Sequence, residues 1–365
     1  MPVRQRDAFE KDFANFLFTT QTPFKRINNK WLQKAMGRLG IKLHDEKWYR
    51  TTALDRADAE VVEKTQAEMQ ELMEQGVGIM LATDGWKKKT ANQGASLVNA
   101  IALKPSGGAA FLKVIRPGTC SKDGEWIAKT HIDLAMEVTK DEPLHLLGMI
   151  MDNTHANRKG TRIMAEQYPT WVLLGCVAHA LSLLCKNLAD PTKCHGVAAV
   201  LKVVQTMALV YGDCATIRGA LQELQVGGEV GGIRAHCPTR FAILYLIATD
   251  VLRMKVPIRE MVESSDWASL KEASVNSAVF NHATDSGWWR KLEAVRDLMS
   301  PIADAIHQLE GDKAMLSQVL PVWNSLIDRA TAWTAMWQGS GGTSVLTAKV
   351  VGVFEKRFKK PYLGD

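Results

Sequence analysis

The sequence predicts an α/β protein built on a mixed β-sheet, with helices before the sheet and an all-helical region after it. Three observations carry this expectation. Five short apolar runs lie between residues 78 and 175, and the two longest intervals between them have helical spacing. The second and third runs are joined by Pro105-Ser106-Gly107-Gly108, a turn sequence short enough to close a hairpin. From Val177 onward apolar residues recur only at helical spacing. A hairpin followed by strands that alternate with helices gives a sheet holding both antiparallel and parallel pairs, in the order βββαβαβ.

Taken in order, residues 1–75 form a helical segment. Phe9, Phe13, Phe16 and Leu17 recur at spacings of three and four, as do Trp31, Leu32, Ala35, Met36 and Leu39, with Thr22-Pro23-Phe24 between the two. Asp58 to Gln75 forms a third helix that stops before Gly76 and Gly78. Residues 76–180 then form the sheet unit. Its first strand, Gly78 to Thr83, is expected to close at Asp84-Gly85, followed by strands over Ala95–Leu103 and Ala109–Ile115. A helix over Asp123–Thr139 carries Trp126, Ile127, His131, Leu134, Ala135 and Val138 on helical spacing. The fourth strand, Leu144 to Met151, ends at Asp152-Asn153, and a helix over His155–Gln167 leads to a fifth strand at Trp171–Gly175. Residues 181–365 are expected to be all helical, including Ala180–Leu188, Val197–Tyr211, Phe241–Met254 and Trp289–Leu309, with glycine pairs at 227–228 and 231–232 as punctuation.

Composition narrows the function classes. Of 365 residues, 46% are apolar and 23% charged, which is enough apolar material for a packed core and too little charge for a disordered chain. No apolar run approaches the roughly 20 residues that span a bilayer, and the first residues lack the apolar core of a secretory signal. A soluble intracellular protein with no membrane partner is the expectation. The net charge of +6 is compatible with nucleic acid but common among other proteins. Six scattered cysteines read as reduced thiols. No Gly-x-Ser-x-Gly, phosphate-loop or dinucleotide fingerprint occurs.

Asp84 and Asp152 are the leading chemical candidates, because each is expected to end an apolar strand. On neighbouring strands their carboxylates converge and suit Mg²⁺, a hard cation that binds one or two carboxylates together with phosphate oxygens. A pair of such ions about 4 Å apart assists in-line phosphoryl displacement. Aspartate at a strand end also serves simply as a turn former. Cys176-x-x-His179, with Cys194-His195, could supply zinc ligands, but the spacing fits no standard finger and a packed structural pair is the better expectation. Trp86 beside Lys87, Lys88 and Lys89 could stack on a base while the lysines hold phosphates, or could be a packing aromatic beside a solvated face. His155 is either a base near Asp152 or an exposed residue at a helix start.

Several of these landmarks, in order, resemble those of hAT-superfamily transposases, in the variant known as a transposase-like domain of unknown function. They are Thr83-Asp84-Gly85-Trp86, then Met151-Asp152-Asn153-Thr154-His155-Ala156-Asn157, then Cys176-x-x-His179, then Pro238-Thr239-Arg240-Phe241, with Trp267 downstream and Thr22-Pro23-Phe24 and Tyr49 to Leu54 upstream. The resemblance implies a ribonuclease H-like core interrupted by a helical insertion. It implies that Asp84 and Asp152 are catalytic ligands of Mg²⁺ or Mn²⁺ and that Cys176 and His179 support the site. It also implies that Arg240 and Phe241 contact DNA, with Trp86, Lys87 and Lys88 as further DNA contacts, and that the protein is nuclear. Homo-oligomerisation is possible on the same ground.

Three departures temper that expectation. The family's third acidic ligand is a glutamate on a helix near the C-terminus, and Glu355, near the end of this sequence, does not fit that place. No counterpart of the family's C-terminal dimerisation region or of its N-terminal BED-type finger is recognisable. The expectation is therefore a transposase-derived DNA-binding or DNA-processing protein, truncated or domesticated, with an incomplete catalytic centre. The alternative is a non-enzymatic nucleic-acid or protein interaction module on the same scaffold.

Overall fold

The computed structural model describes residues 3–87, 96–104, 107–118, 120–225, 231–237, 242–311, 313–338 and 344–362. The N-terminal helices are α1 (Val3–Thr19), α2 (Lys30–Arg38) and the short α3 (Glu46–Trp48), followed by α4 (Leu54–Glu74). Leu17, Ile27, Leu43, Tyr49 and Ala53 form a small core of their own, with Phe13 edge-on to Tyr49. Helix α4 behaves differently from its predecessors. Its Met69 and Met73 are buried in the sheet core, so it is packed as part of the α/β unit although it lies within the N-terminal helical run.

The sheet consists of β1 (Ile79–Lys87), β2 (Ser96–Leu103), β3 (Ala109–Ile115), β4 (Leu146–Met151) and β5 (Val172–Gly175), with α5 (Gly124–Thr139) and α6 (His155–Gln167) between the later strands. Its spatial order is β3-β2-β1-β4-β5. Pairs β1–β2 and β2–β3 are antiparallel, whereas β1–β4 and β4–β5 are parallel. A three-stranded antiparallel meander extended by two parallel strands is the ribonuclease H-like arrangement, as expected. Helix starts follow local side-chain chemistry: the side chain of Asp123 caps α5 through the Trp126 N–H, and that of Thr154 caps α6 through the Asn157 N–H.

One expectation about β1 needs correction. The strand does not end at Asp84 but continues to Lys87, because β2 keeps pairing with it through Trp86 opposite Leu97 and Lys87 opposite Ser96. Asp84 instead marks the place where pairing with β4 on the other side stops, the last pair there being Ala82 with Ile150.

Beyond β5 only helices are described: α7 (Val177–Leu188), α8 (His195–Asp213), α9 (Ala215–Glu223), α10 (Ile243–Arg253), α11 (Lys255–Glu263), α12 (Trp267–Glu272), α13 (Ser286–Glu310), α14 (Val319–Gln338), α15 (Ser344–Thr347) and α16 (Val350–Tyr362). The sequence boundary drawn at residue 180 falls inside α7, a single continuous helix. These helices share one core that includes Leu181, Leu184, Val204, Ile247, Trp289 and Trp323. Trp289 and Trp333 each satisfy their indole N–H on a backbone carbonyl, at Ala283 and Ala294, both at 2.8 Å. Helix α8 is long and apolar enough to cross a membrane on length and composition alone. Its Val197, Leu201, Val204 and Ala208 are buried against neighbouring helices, which accounts for that composition.

Candidate active site

Side-chain alternation divides the central strands into two faces. Leu81 and Thr83 of β1, with Ala100, Ala102, Met149 and Met151, turn toward the core built with α5 and α6. Ala82, Asp84 and Trp86 occupy the other face, and Asp152, two residues past Ile150, follows the same alternation. Continuing the β1–β4 register by two residues sets Asp84 beside Asp152. Neighbouring strands lie about 4.8 Å apart, so the two carboxylates meet at the point where the parallel pairing opens.

The electrostatics agree with this placement. The Asp84 carboxyl is held above the usual carboxylate range, first by the partial shielding of its surroundings and then by the negative charge of Asp152. The Gly85 N–H, His179 and Lys122 oppose the shift. Asp152 in turn lies 3.2 Å from Nδ1 of His179, with both side chains about a quarter exposed. A like-charge carboxylate pair opening to solvent is a donor set that suits a hard divalent cation. Among the described residues, no three His, Cys, Asp or Glu side chains gather closely enough to form a protein-only metal cage. An ion held here would therefore draw its remaining ligands from water and substrate oxygens, as Mg²⁺ commonly does.

The residues around the pair hold it in place. Asn157 Nδ2 donates to the Asp152 carbonyl at 3.0 Å, and the Cys176 N–H donates to the Met151 carbonyl at 2.7 Å, which ties β4 to the start of α7. Asn153 Nδ2 reaches the Cys176 carbonyl at 2.7 Å. That contact requires glycine at position 175, where a Cβ would fall 1.9 Å from Asn153 Oδ1. On the core face, Thr83 shares a 2.8 Å hydrogen bond with Nε2 of His131, whose Nδ1 donates to the Ile127 carbonyl at 2.7 Å. Burial pushes the His131 imidazole below its ordinary value, so it is neutral and fixes β1 next to Asp84.

Cys176 and His179 act at this site in different ways. Cys176 is the N-cap of α7, its Sγ accepting the His179 N–H at 3.5 Å. Burial pushes its thiol up, Asp152 and Glu310 add to the rise, and the His179 and Ala178 N–H groups counter it. The His179 imidazole is the group that reaches Asp152. The zinc possibility finds no support, since Cys176 is engaged as a helix cap and no metal cluster with Cys194 and His195 occurs among the described residues.

Trp86 lies on the Asp84 face, is 41% exposed, and donates its indole N–H to Asn99 Oδ1 at 3.1 Å. It is therefore both tethered to the hairpin and open to solvent. Lys87 ends β1, but its side chain, together with Lys88, Lys89, Arg240 and Phe241, lies outside the described residues. His155 is exposed at the start of α6.

Sequence reasoning missed four residues around the pair. Lys122, in the loop before α5, is close enough to act electrostatically on Asp84. Asn153 and Asn157 sit in the quoted motif, but their roles depend on where the chain turns. Glu310, at the end of α13, belongs to none of the quoted motifs, yet its charge acts on Cys176 and its own carboxyl is raised by burial. Glu355 is exposed on α16.

The search of curated proteins gave no match to this chain. A family model described as "Domain of unknown function (DUF659)" matches residues 45–207, a stretch that contains the whole sheet, Asp84, Asp152, Cys176 and His179. Over those residues the chain is similar to a domain found in transposase-like proteins.

Proposed function

We propose that this is an hAT transposase-derived DNA-binding protein in which Asp84 and Asp152 hold Mg²⁺ or Mn²⁺ against a DNA phosphodiester. The observation that carries the reading is the charge interaction between Asp84 and Asp152 just past the last β1–β4 pair, with His179 against Asp152. A divalent ion there would relieve their mutual repulsion and polarise a phosphoryl oxygen. His179 orients Asp152, and the exposed Trp86 offers a flat surface to a base on the same side of the sheet. The described donor set is smaller than a complete phosphoryl-transfer centre, so the chemistry proposed is metal-assisted DNA binding with at most slow cleavage. The resemblance to hAT transposases extends the proposal to a nuclear location.

The test is incubation of the protein with Mn²⁺ and a nicked or intact duplex, compared with the Asp84→Ala, Asp152→Ala double variant. Metal-enhanced binding that is lost in the double variant, with little nicking, is expected. Efficient nicking lost in the double variant would show the centre to be complete. Binding indifferent to metal and to both aspartates would favour a plain interaction module on this scaffold.

A further inference from the structure

At the opposite end of α7 from His179, a cavity of about 550 Å³ opens between α16 and the corner joining α7 to α8. Lys193, Lys349, Lys356 and Arg357 line it, with Asn187 and Thr192 as neutral polar neighbours, and among the described residues no carboxylate is in the lining. Of the cations, Lys193 is engaged, bonding Asp190 at 2.8 Å and Asn187 Oδ1 at 3.1 Å. Among the described residues, Lys349, Lys356 and Arg357 have no carboxylate within ion-pair distance. The Nε of Arg357 is buried without a hydrogen-bond partner. Burial, and then the guanidinium of Arg158, disfavour the charge on Arg357. A concave surface that gathers uncompensated cations and an unsatisfied buried donor is suited to an anion with several acceptor oxygens.

Resting on the DNA-binding reading above, we propose that this cavity is a groove that binds the phosphate backbone of a DNA duplex, at a site separate from Asp84 and Asp152. The spacing favours a strand over a single phosphate. Lys349, immediately before α16, and Lys356, two turns along that helix, have backbones about 10 Å apart. A DNA strand carries a phosphate about every 3.4 Å along the helix axis, so the two lysines would face different phosphates. The charged contacts go to phosphates, which carry no sequence information, so the contact is independent of sequence.

The test uses the full chain in EDTA, so that the aspartate pair contributes no metal-bridged contact. Binding to a labelled random-sequence duplex is followed by anisotropy between about 50 and 200 mM NaCl. The Lys349→Gln, Lys356→Gln double variant changes two exposed side chains, so loss of the fold is not at issue. It should weaken binding at least fivefold at the low-salt end and reduce the slope of log K against log salt by about 2. Unchanged affinity and slope in the lysine variant would overturn the proposal. So would inorganic phosphate competing as well as DNA at equal phosphate concentration.

Discussion

Replacing Asp84 by asparagine removes one of two facing negative charges while keeping the shape of the side chain and its ability to accept the Gly85 N–H. At a strand spacing of about 4.8 Å, two unit charges repel by about 3 kcal/mol at an effective dielectric of 20 and about 1 kcal/mol at that of water. Asp84 is exposed and the site opens to solvent, so the lower figure applies. The metal-free Asp84→Asn protein should therefore be more stable than wild type by about 1 kcal/mol at pH 7. The sign follows from linkage. A carboxyl whose folded value is raised above its unfolded value contributes stability fully present below the unfolded value, here 3.8, and lost as pH rises through the folded one. The gain of the variant should accordingly be complete at neutral pH and vanish below that acid range. Urea denaturation in EDTA at low ionic strength, at pH 7 and at pH 3.5, measures both. A variant less stable than wild type at pH 7, or one with the same gain at both pH values, would refute the placement of the two carboxylates beside each other.

Further outcomes follow from the packing around the pair and from the helical region. Gly175→Ala puts a methyl 1.9 Å from Asn153 Oδ1 and must displace that side chain from the Cys176 carbonyl, costing about 1–3 kcal/mol in a urea titration. His131 is neutral in the folded state with its value lowered by burial, so wild-type stability should fall as pH drops below 6.5. The slope should approach 1.4 kcal/mol per pH unit, and His131→Gln should flatten it. Asp250 is fully buried and holds Arg234 at 2.7 and 3.1 Å and Arg253 at 2.9 Å. Asp250→Ala should cost about 3 kcal/mol, the low end for a broken buried pair, because both arginines can turn to solvent.

The sheet was legible because each strand is a short apolar run bounded by turn residues, and the helix over His155–Gln167 was bounded correctly at both ends by Thr154 and Tyr168. The extension of β1 to Lys87 was not, since Asp84-Gly85 is a turn signal that cross-strand pairing with Ser96 to Asn99 overrides. The close placement of Asp84 and Asp152 depends on β4 lying beside β1 and not at the far side of β3, and strand order is a long-range property that no local pattern encodes. The same reason hid Glu310 and Lys122, whose sequence surroundings are ordinary helix end and loop. The division of labour between Cys176, a helix cap, and His179, a partner of Asp152, also required the direction in which α7 leaves β5. Helix α4 showed its Glu, Gln and Met content but not that Met69 and Met73 face the sheet.

The central claim is that Asp84 and Asp152 form one divalent-cation site, and Mn²⁺ titration followed by electron paramagnetic resonance tests it most directly. The free-ion signal should be suppressed by wild-type protein to a stoichiometry of one ion per chain, and this suppression should be lost in both Asp84→Asn and Asp152→Asn while the Lys349→Gln, Lys356→Gln protein retains it. Mn²⁺ binding that persists in both aspartate variants, or no binding by the wild type, would contradict the account.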